Sequence, residues 1–201
     1  MIPGNKKMKL FTIMWSSYLP LLKETAEKLH LDLLSYSGKQ LNLHLEMLAA
    51  AERDMKTADI ILLYRTNDVF WEEIEKILEE VRSRIPVVVV GSDPAHWAGS
   101  TVSPEIVATV YNYILFNGRD NIANMLRFLL HHLAGMPLTF NKPDEIPWQG
   151  IYHPQTDKVF FSAAAYLADY LPKFSAKPLA TVGLLYSRSS WVTRNLEIEK
   201  Q

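Results

Sequence analysis

The chain has 201 residues, 48% hydrophobic and 21% charged, with a net charge of -1 and no basic stripe; this is globular composition and argues against nucleic-acid binding. It contains no cysteine, which excludes disulfides, thiolate metal sites and cysteine nucleophiles, and agrees with a reducing compartment. No apolar run is long enough for a membrane helix or a signal segment, so the expectation is a soluble cytoplasmic protein with no nucleic-acid or membrane partner.

Strand-like and helix-like patterns then alternate. Residues 9–15 read as a strand, 19–30 as a helix with Leu22, Ala26 and Leu29 at helical spacing, and 31–36 as a second strand. A helix is expected over 41–57 with Leu45, Leu48 and Ala49 on one face. Residues 59–64 form a nearly continuous apolar run, as in a strand covered on both faces. A helix over 69–83 is acidic at its start and basic at its end, matching the helix dipole. Pro86 to Gly91, with four consecutive valines, is the plainest strand. Such alternation with short connections predicts an α/β fold, a flavodoxin-like or Rossmann-like parallel sheet with flanking helices in strand order 2-1-3-4.

Past Gly91 the rhythm changes. Ser103-Pro104-Glu105 opens a helix, with Ser as cap and Pro at the first turn, running to about Phe116. A further helix runs from Asp120 to Leu133, closed by Gly135 and Pro137. Residues 138–149 read as a polar, proline-rich connection, 162–171 as a helix, 181–186 as a strand, and 191–201 as the first turns of another helix. The expected division is residues 1–140 as a flavodoxin-like domain and 141–201 as the junction and beginning of a second α/β domain, the whole being read as a fragment of something longer.

In open α/β sheets ligands sit beyond the carboxyl ends of the strands. Four loops fall there: Trp15-Ser16-Ser17-Tyr18, Ser35-Tyr36-Ser37-Gly38, Tyr64 to Asp68, and Ser92 to Trp97. Their small polar residues serve as helix caps or as a rim for a large flat molecule. Arg65 and Asp68 either pair with each other or with helix ends, or meet a ligand; His96 is either a packed loop anchor or a ligand contact. His131 and His132 are adjacent on a helix and do not share a face, so they are not a metal pair; one is expected at the surface and the other partly buried. His30 and His44 read as surface residues. There is no G-x-G-x-x-G, no P-loop and no G-x-S-x-G elbow, hence no sign of dinucleotide or ATP binding by this chain, nor of a self-sufficient catalytic centre.

Two further segments mix aromatic, imidazole and guanidinium groups with Pro and Gly. The first is Pro147-Trp148-Gln149-Gly150-Ile151-Tyr152-His153-Pro154; the second runs from Val182 to Val192 and holds Arg188 and Trp191. Prolines on both sides hold His153 in a defined orientation, and Arg188 beside three serines and a Trp suits a carboxylate grip on an aromatic platform. Each segment also suits a purely structural role, as a rigid linker or as capping around one Trp. At these residues the chain resembles the large subunit of cobaltochelatase and the related magnesium chelatase H subunit. Members carry a P-x-G-I-Y-H-P-D segment and a V-G-[IL]-L-x-x-R-x-x-[WV] strand and turn. Departures are Gln155 in place of the Asp, Thr66-Asn67 in place of a glycine pair, and Arg194 in place of the Gly before Asn195.

The resemblance implies a part in ATP-dependent insertion of cobalt or magnesium into a tetrapyrrole. The metal is a substrate, and ATP with magnesium is held by separate AAA+ ATPase subunits, so that no cofactor is bound directly by this chain. It implies a tetrapyrrole (corrin) contact by His153, Tyr152, Trp148, Arg188, Trp191, Arg65 and His96, with no metal ligand and no catalytic residue assigned here. A noncatalytic docking module of the same complex, or a stand-alone ligand-binding domain, are the alternatives.

Overall fold

The computed structural model describes residues 7–44, 46–145, 147–152, 159–170, 183, 185, 187 and 188. Four parallel strands, β1 (Lys9–Met14), β2 (Asp32–Ser37), β3 (Ile60–Tyr64) and β4 (Val87–Val90), lie in the order β2-β1-β3-β4. This is the predicted α/β class and strand order. Register pairs Leu10 with Leu33 and Ile60, and Ile61 with Val87.

Side chains alternate between the two faces, and both faces are covered, so β3 and β4 are apolar nearly throughout and β1 mostly so, while the edge strand β2 is half-buried and carries Asp32, Ser35 and Ser37. Leu10, Met14, Ile60, Leu62, Val88 and Val90 face a layer made by α1 (Leu19–Lys28), α5 (Pro104–Phe116) and α6 (Arg119–Ala134). Phe11, Ile13, Ile61, Leu63, Val87 and Val89 face α2 (Gly38–Leu43), α3 (Glu46–Thr57) and α4 (Trp71–Val81). Tyr36 of β2 donates a 2.6 Å hydrogen bond to Asp54 of α3, and burial pushes its phenol well above its ordinary range.

The helix expected over 41–57 is two helices. Ser37 and Gln40 form a capping box, so α2 starts at Gly38 and ends by His44, and α3 begins afresh at Glu46. The restart rotates the buried face of α3 to Leu48, Ala51 and Met55, and leaves Ala49 exposed. At α5, Ser103 occupies the cap position, but its side chain makes no cap bond to the backbone; it engages the carboxylate of Glu105, which is held below its usual range first by its own backbone N–H and then by Ser103. His131 and His132 are both exposed, where one was expected partly buried, and they stack around Phe128 and Phe140.

The polar connection is not a loose linker over its first half. Asn121 and Asn124, buried on α6, bind the backbone of 141–144: Asn121 Oδ1 accepts from Asp144 N at 2.8 Å, its Nδ2 donates to Asp144 O at 2.7 Å, and Asn124 Oδ1 accepts from Asn141 N at 3.1 Å. Tyr113 donates to Asn141 O, and Phe140 packs edge-on against Phe128 at 5.2 Å. The strap thus belongs to the first of two compact units, Met1–Asp144 and Glu145–Gln201.

Within the second unit, β5 (Ile151–Tyr152) pairs antiparallel with β6 (Val159–Phe160), and α7 (Ala163–Tyr170) follows, capped by Ser162. Phe160 packs on Tyr166. The expected strand over 181–186 and helix over 191–201 lie outside the described residues, apart from Gly183 and Leu185. Among the described residues no helix is long and apolar enough to cross a membrane.

Candidate functional site

In the first unit the strand order reverses at β1, where the neighbouring crossovers run in opposite directions and leave a crevice beyond the carboxyl ends of β1 and β3. A cleft of about 660 Å3 opens there. Its floor is apolar and aromatic, with Met14, Trp15, Tyr64, Phe70 and Trp71. Burial, the largest cause, holds the Tyr64 phenol above its ordinary value, so it stays neutral. Ring centroids of Trp15 and Tyr64 stand 5.9 Å apart, edge to face.

One wall is a chain of hydrogen bonds. Trp71 Nε1 donates to Thr66 Oγ1 at 2.8 Å, Thr66 Oγ1 donates to Asp68 Oδ2 at 2.6 Å, and Asn42 Nδ2 donates to Asp68 Oδ1 at 2.8 Å. Asp68 thus holds the β3–α4 loop against α2. Lys39, Asn42 and Leu43 complete the lining from α2, which reaches the cleft because it starts at Gly38. The Ser37-x-x-Gln40 spacing was the signal for this helix.

Three of the four expected loops therefore meet at this cleft, and the fourth does not. Residues Pro94–Gly99 wind into a short 3-10 helix laid toward α5, since Trp97 donates to Gly91 O at 3.2 Å and stacks on Tyr111 at 4.9 Å. A Cβ on Gly91 would stand 2.8 Å from Arg65 O and 3.0 Å from His96 Nδ1, so glycine permits this close approach. His96 Nδ1 is buried there with no hydrogen-bond partner among the described residues, and His96 does not line the cleft. Arg65 turns away as well: its Nη2 meets Glu75 at 2.6 Å, and its guanidinium lies 5.1 Å from the centre of the Trp71 ring.

In the second unit the two proline- and arginine-bearing segments come together. Arg188 Nε donates to Pro147 O at 2.9 Å, and its guanidinium lies 4.6 Å over the Trp148 ring. The aromatic platform next to Arg188 is thus Trp148, which remains 60% exposed on its other side. Gly150 lets the chain pass Val159: a Cβ there would overlap Val159 Cγ1 and stand 3.2 Å from Phe160 O. Tyr152 is half-buried in β5. His153 and Trp191 lie outside the described residues. Among the described residues no group of three or more His, Asp or Glu side chains is placed to hold a metal ion.

Residues 111–201 match the model of the CobN/Magnesium Chelatase family, a stretch that takes in the end of α5, all of α6, the strap and the whole second unit. An uncharacterized protein of Methanocaldococcus jannaschii is 28% identical over 196 residues, covering 95% of this chain and 14% of that protein. A second uncharacterized protein of the same organism is 29% identical over 100 residues, covering 48% of this chain and 8% of the other. The catalytic subunit of cobaltochelatase from Mycobacterium tuberculosis has a similar fold, with a TM-score of 0.64 at 16% identity over 97% of this chain and 15% of that one. The chain thus spans about one seventh of the longer proteins it resembles along nearly its whole length.

Proposed function

We propose that this chain, whose residues 111–201 match the chelatase family, is the N-terminal part of a large, tetrapyrrole-binding chelatase subunit. In this reading the complete protein acts in the cytoplasm with AAA+ ATPase subunits that hydrolyse ATP. It inserts a divalent metal, cobalt before magnesium, into a corrin-type ring in cobalamin biosynthesis. The metal is cargo, and this chain contributes ring binding rather than the insertion step.

The observation that carries the reading is the meeting of Arg188 with Pro147 and Trp148 across forty residues of sequence. An exposed indole face suits the flat face of a macrocycle. A guanidinium fixed by its Nε bond and by stacking keeps a defined direction for the ring's carboxylate or amide edge. Tyr152 ends β5, and His153 follows it in the sequence. Arg65 and His96 support the reading less, because Arg65 is paired with Glu75 and the Nδ1 of His96 is buried against Gly91.

Titration of the 201-residue chain with a corrin and with a porphyrin, followed by absorbance and Trp fluorescence, tests this. Saturable binding is expected, weakened about tenfold or more by Trp148→Ala and by Arg188→Ala, as for loss of one stacking or charged contact of roughly 1.4 kcal/mol. Absence of saturable binding by a chain shown folded by circular dichroism would count against it. Trp148 at 60%, Phe161 at 77% and Leu167 at 44% exposure favour a second reading, a docking surface of the same complex. Capture of the ATPase subunits without ring binding would select that one.

A further inference from the structure

The cleft of the first unit has no part in the reading above, which rests on Trp148, Arg188 and their neighbours in the second. Its composition nevertheless defines a ligand. The floor is lined by four aromatic residues, of which Trp15 and Tyr64 are accessible while Phe70 and Trp71 are buried beneath, and its volume of about 660 Å3 is that of a small-molecule site. Three of the four large apolar side chains that the described part of this unit exposes lie at or beside its mouth. They are Trp15 at 54%, Leu43 at 67%, and Val69 at 79% between the lining residues Asp68 and Phe70. An exposed apolar cluster around a formed cleft marks a binding site more than a solvated surface.

The polar wall fixes the sign of the partner. Thr66 and Trp71 direct their donors along the wall, so that the chain of hydrogen bonds ends on the half-buried carboxylate of Asp68. Asn42 adds a second donor to the other oxygen. Neutral donors surround this carboxylate, and no Lys, Arg or His among the described residues is within ion-pair distance of it. Each oxygen keeps acceptor capacity for one more donor. Aromatic faces also attract cations, so floor and wall favour the same charge. Lys39, exposed at the rim, is the lone cation of the lining, and no glycine-rich phosphate loop accompanies it.

We propose that this cleft binds a flat aromatic amine, a ring system whose face lies on the half-exposed Trp15 ring, which Tyr64 braces edge to face, and whose cationic or N–H edge meets Asp68. None of the residues assigned to the tetrapyrrole lines this cleft, and the proposal does not depend on them. Binding of such a molecule bridges the end of β1 and the β3–α4 loop, since its partners Trp15 and Asp68 belong to those two segments.

Proflavine, a planar three-ring diamino cation, serves as the probe, followed by its own absorbance and fluorescence polarisation on the 201-residue chain. One-to-one saturation is expected. Anthracene-2-carboxylate, of the same ring size and opposite charge, should bind at least tenfold more weakly. Asp68→Asn should weaken proflavine about tenfold and leave the anthracene-carboxylate unchanged or tighter. Gly38→Leu should abolish binding, because a Cβ at Gly38 stands 3.6 Å from both Asp68 Oδ2 and Phe70, ordinary contacts from which a larger side chain fills the cleft. If Gly38→Leu fails to fold by circular dichroism, Trp15→Ala replaces it, since Trp15 is half-exposed and its loss should cost at least fivefold in affinity. Equal binding of the two probes, or proflavine affinity untouched by Asp68→Asn and by the cleft variants, overturns the proposal.

Discussion

The two units of this chain present side chains by opposite means. The first holds its cleft on the ends of strands buried on both faces: Trp71 of the lining is 1% exposed, and Leu62 and Leu63 of β3, on opposite faces just before the cleft, are fully buried. The second holds Trp148 and Arg188 with a two-residue hairpin, one glycine contact and one stacking pair. A short strand pair is marginal alone, and the packing of Phe160 on Tyr166 supports it. Among the described residues, single contacts position the second unit's platform, whereas a double-sided core positions the first unit's cleft.

The largest effect should come from attacking the first unit's core under its cleft. Trp71→Ala removes a fully buried ring and the donor to Thr66, and should destabilise the first unit by about 3–5 kcal/mol in urea unfolding followed by circular dichroism. A change below about 1 kcal/mol would mean that the cleft wall is not built on the core. Next, Gly150→Val should force β5 from β6. A loss of roughly 1–3 kcal/mol is expected, read as faster amide exchange at Ile151 and Tyr152 with the first unit's melting unchanged. Protection that survives would show that more than one glycine holds the hairpin.

A smaller effect is set by pH. Burial first, then the hydrogen bond to Asp54, raises the Tyr36 phenol above its ordinary value of 10.0. In the folded chain the phenol therefore stays protonated after the unfolded chain has ionised. Its contribution is complete below about pH 10 and declines as pH rises beyond that. Tyr36→Phe should flatten this alkaline decline in unfolding experiments between pH 9 and 11, and an identical slope in both proteins would refute the assignment. The smallest effect concerns Arg65. Glu75 is 53% exposed, so Arg65→Ala should cost at most about 1 kcal/mol and leave binding in both units unchanged. A larger loss of tetrapyrrole affinity would return Arg65 to the ligand contacts first read for it.

By itself, the sequence determined the class of the first unit. The apolar runs of 60–64 and 87–90, with the mostly apolar 9–14, can be buried only in a sheet covered on both faces, and the helical spacing between the strands supplies the covers. The proline-framed segment also carried the family resemblance that the match over 111–201 repeats. Tertiary structure decided what local pattern does not encode. It turned Arg65 to Glu75 rather than to the cleft, and it seated the strap of 138–144 on Asn121 and Asn124. It also split 41–57 at His44, which carries Asn42 to Asp68, and laid Arg188 on Trp148. Each of these pairs joins residues ten to forty-one positions apart. Propensity and periodicity describe neighbours along the chain, whereas long side chains choose among partners that only the folded backbone brings within reach.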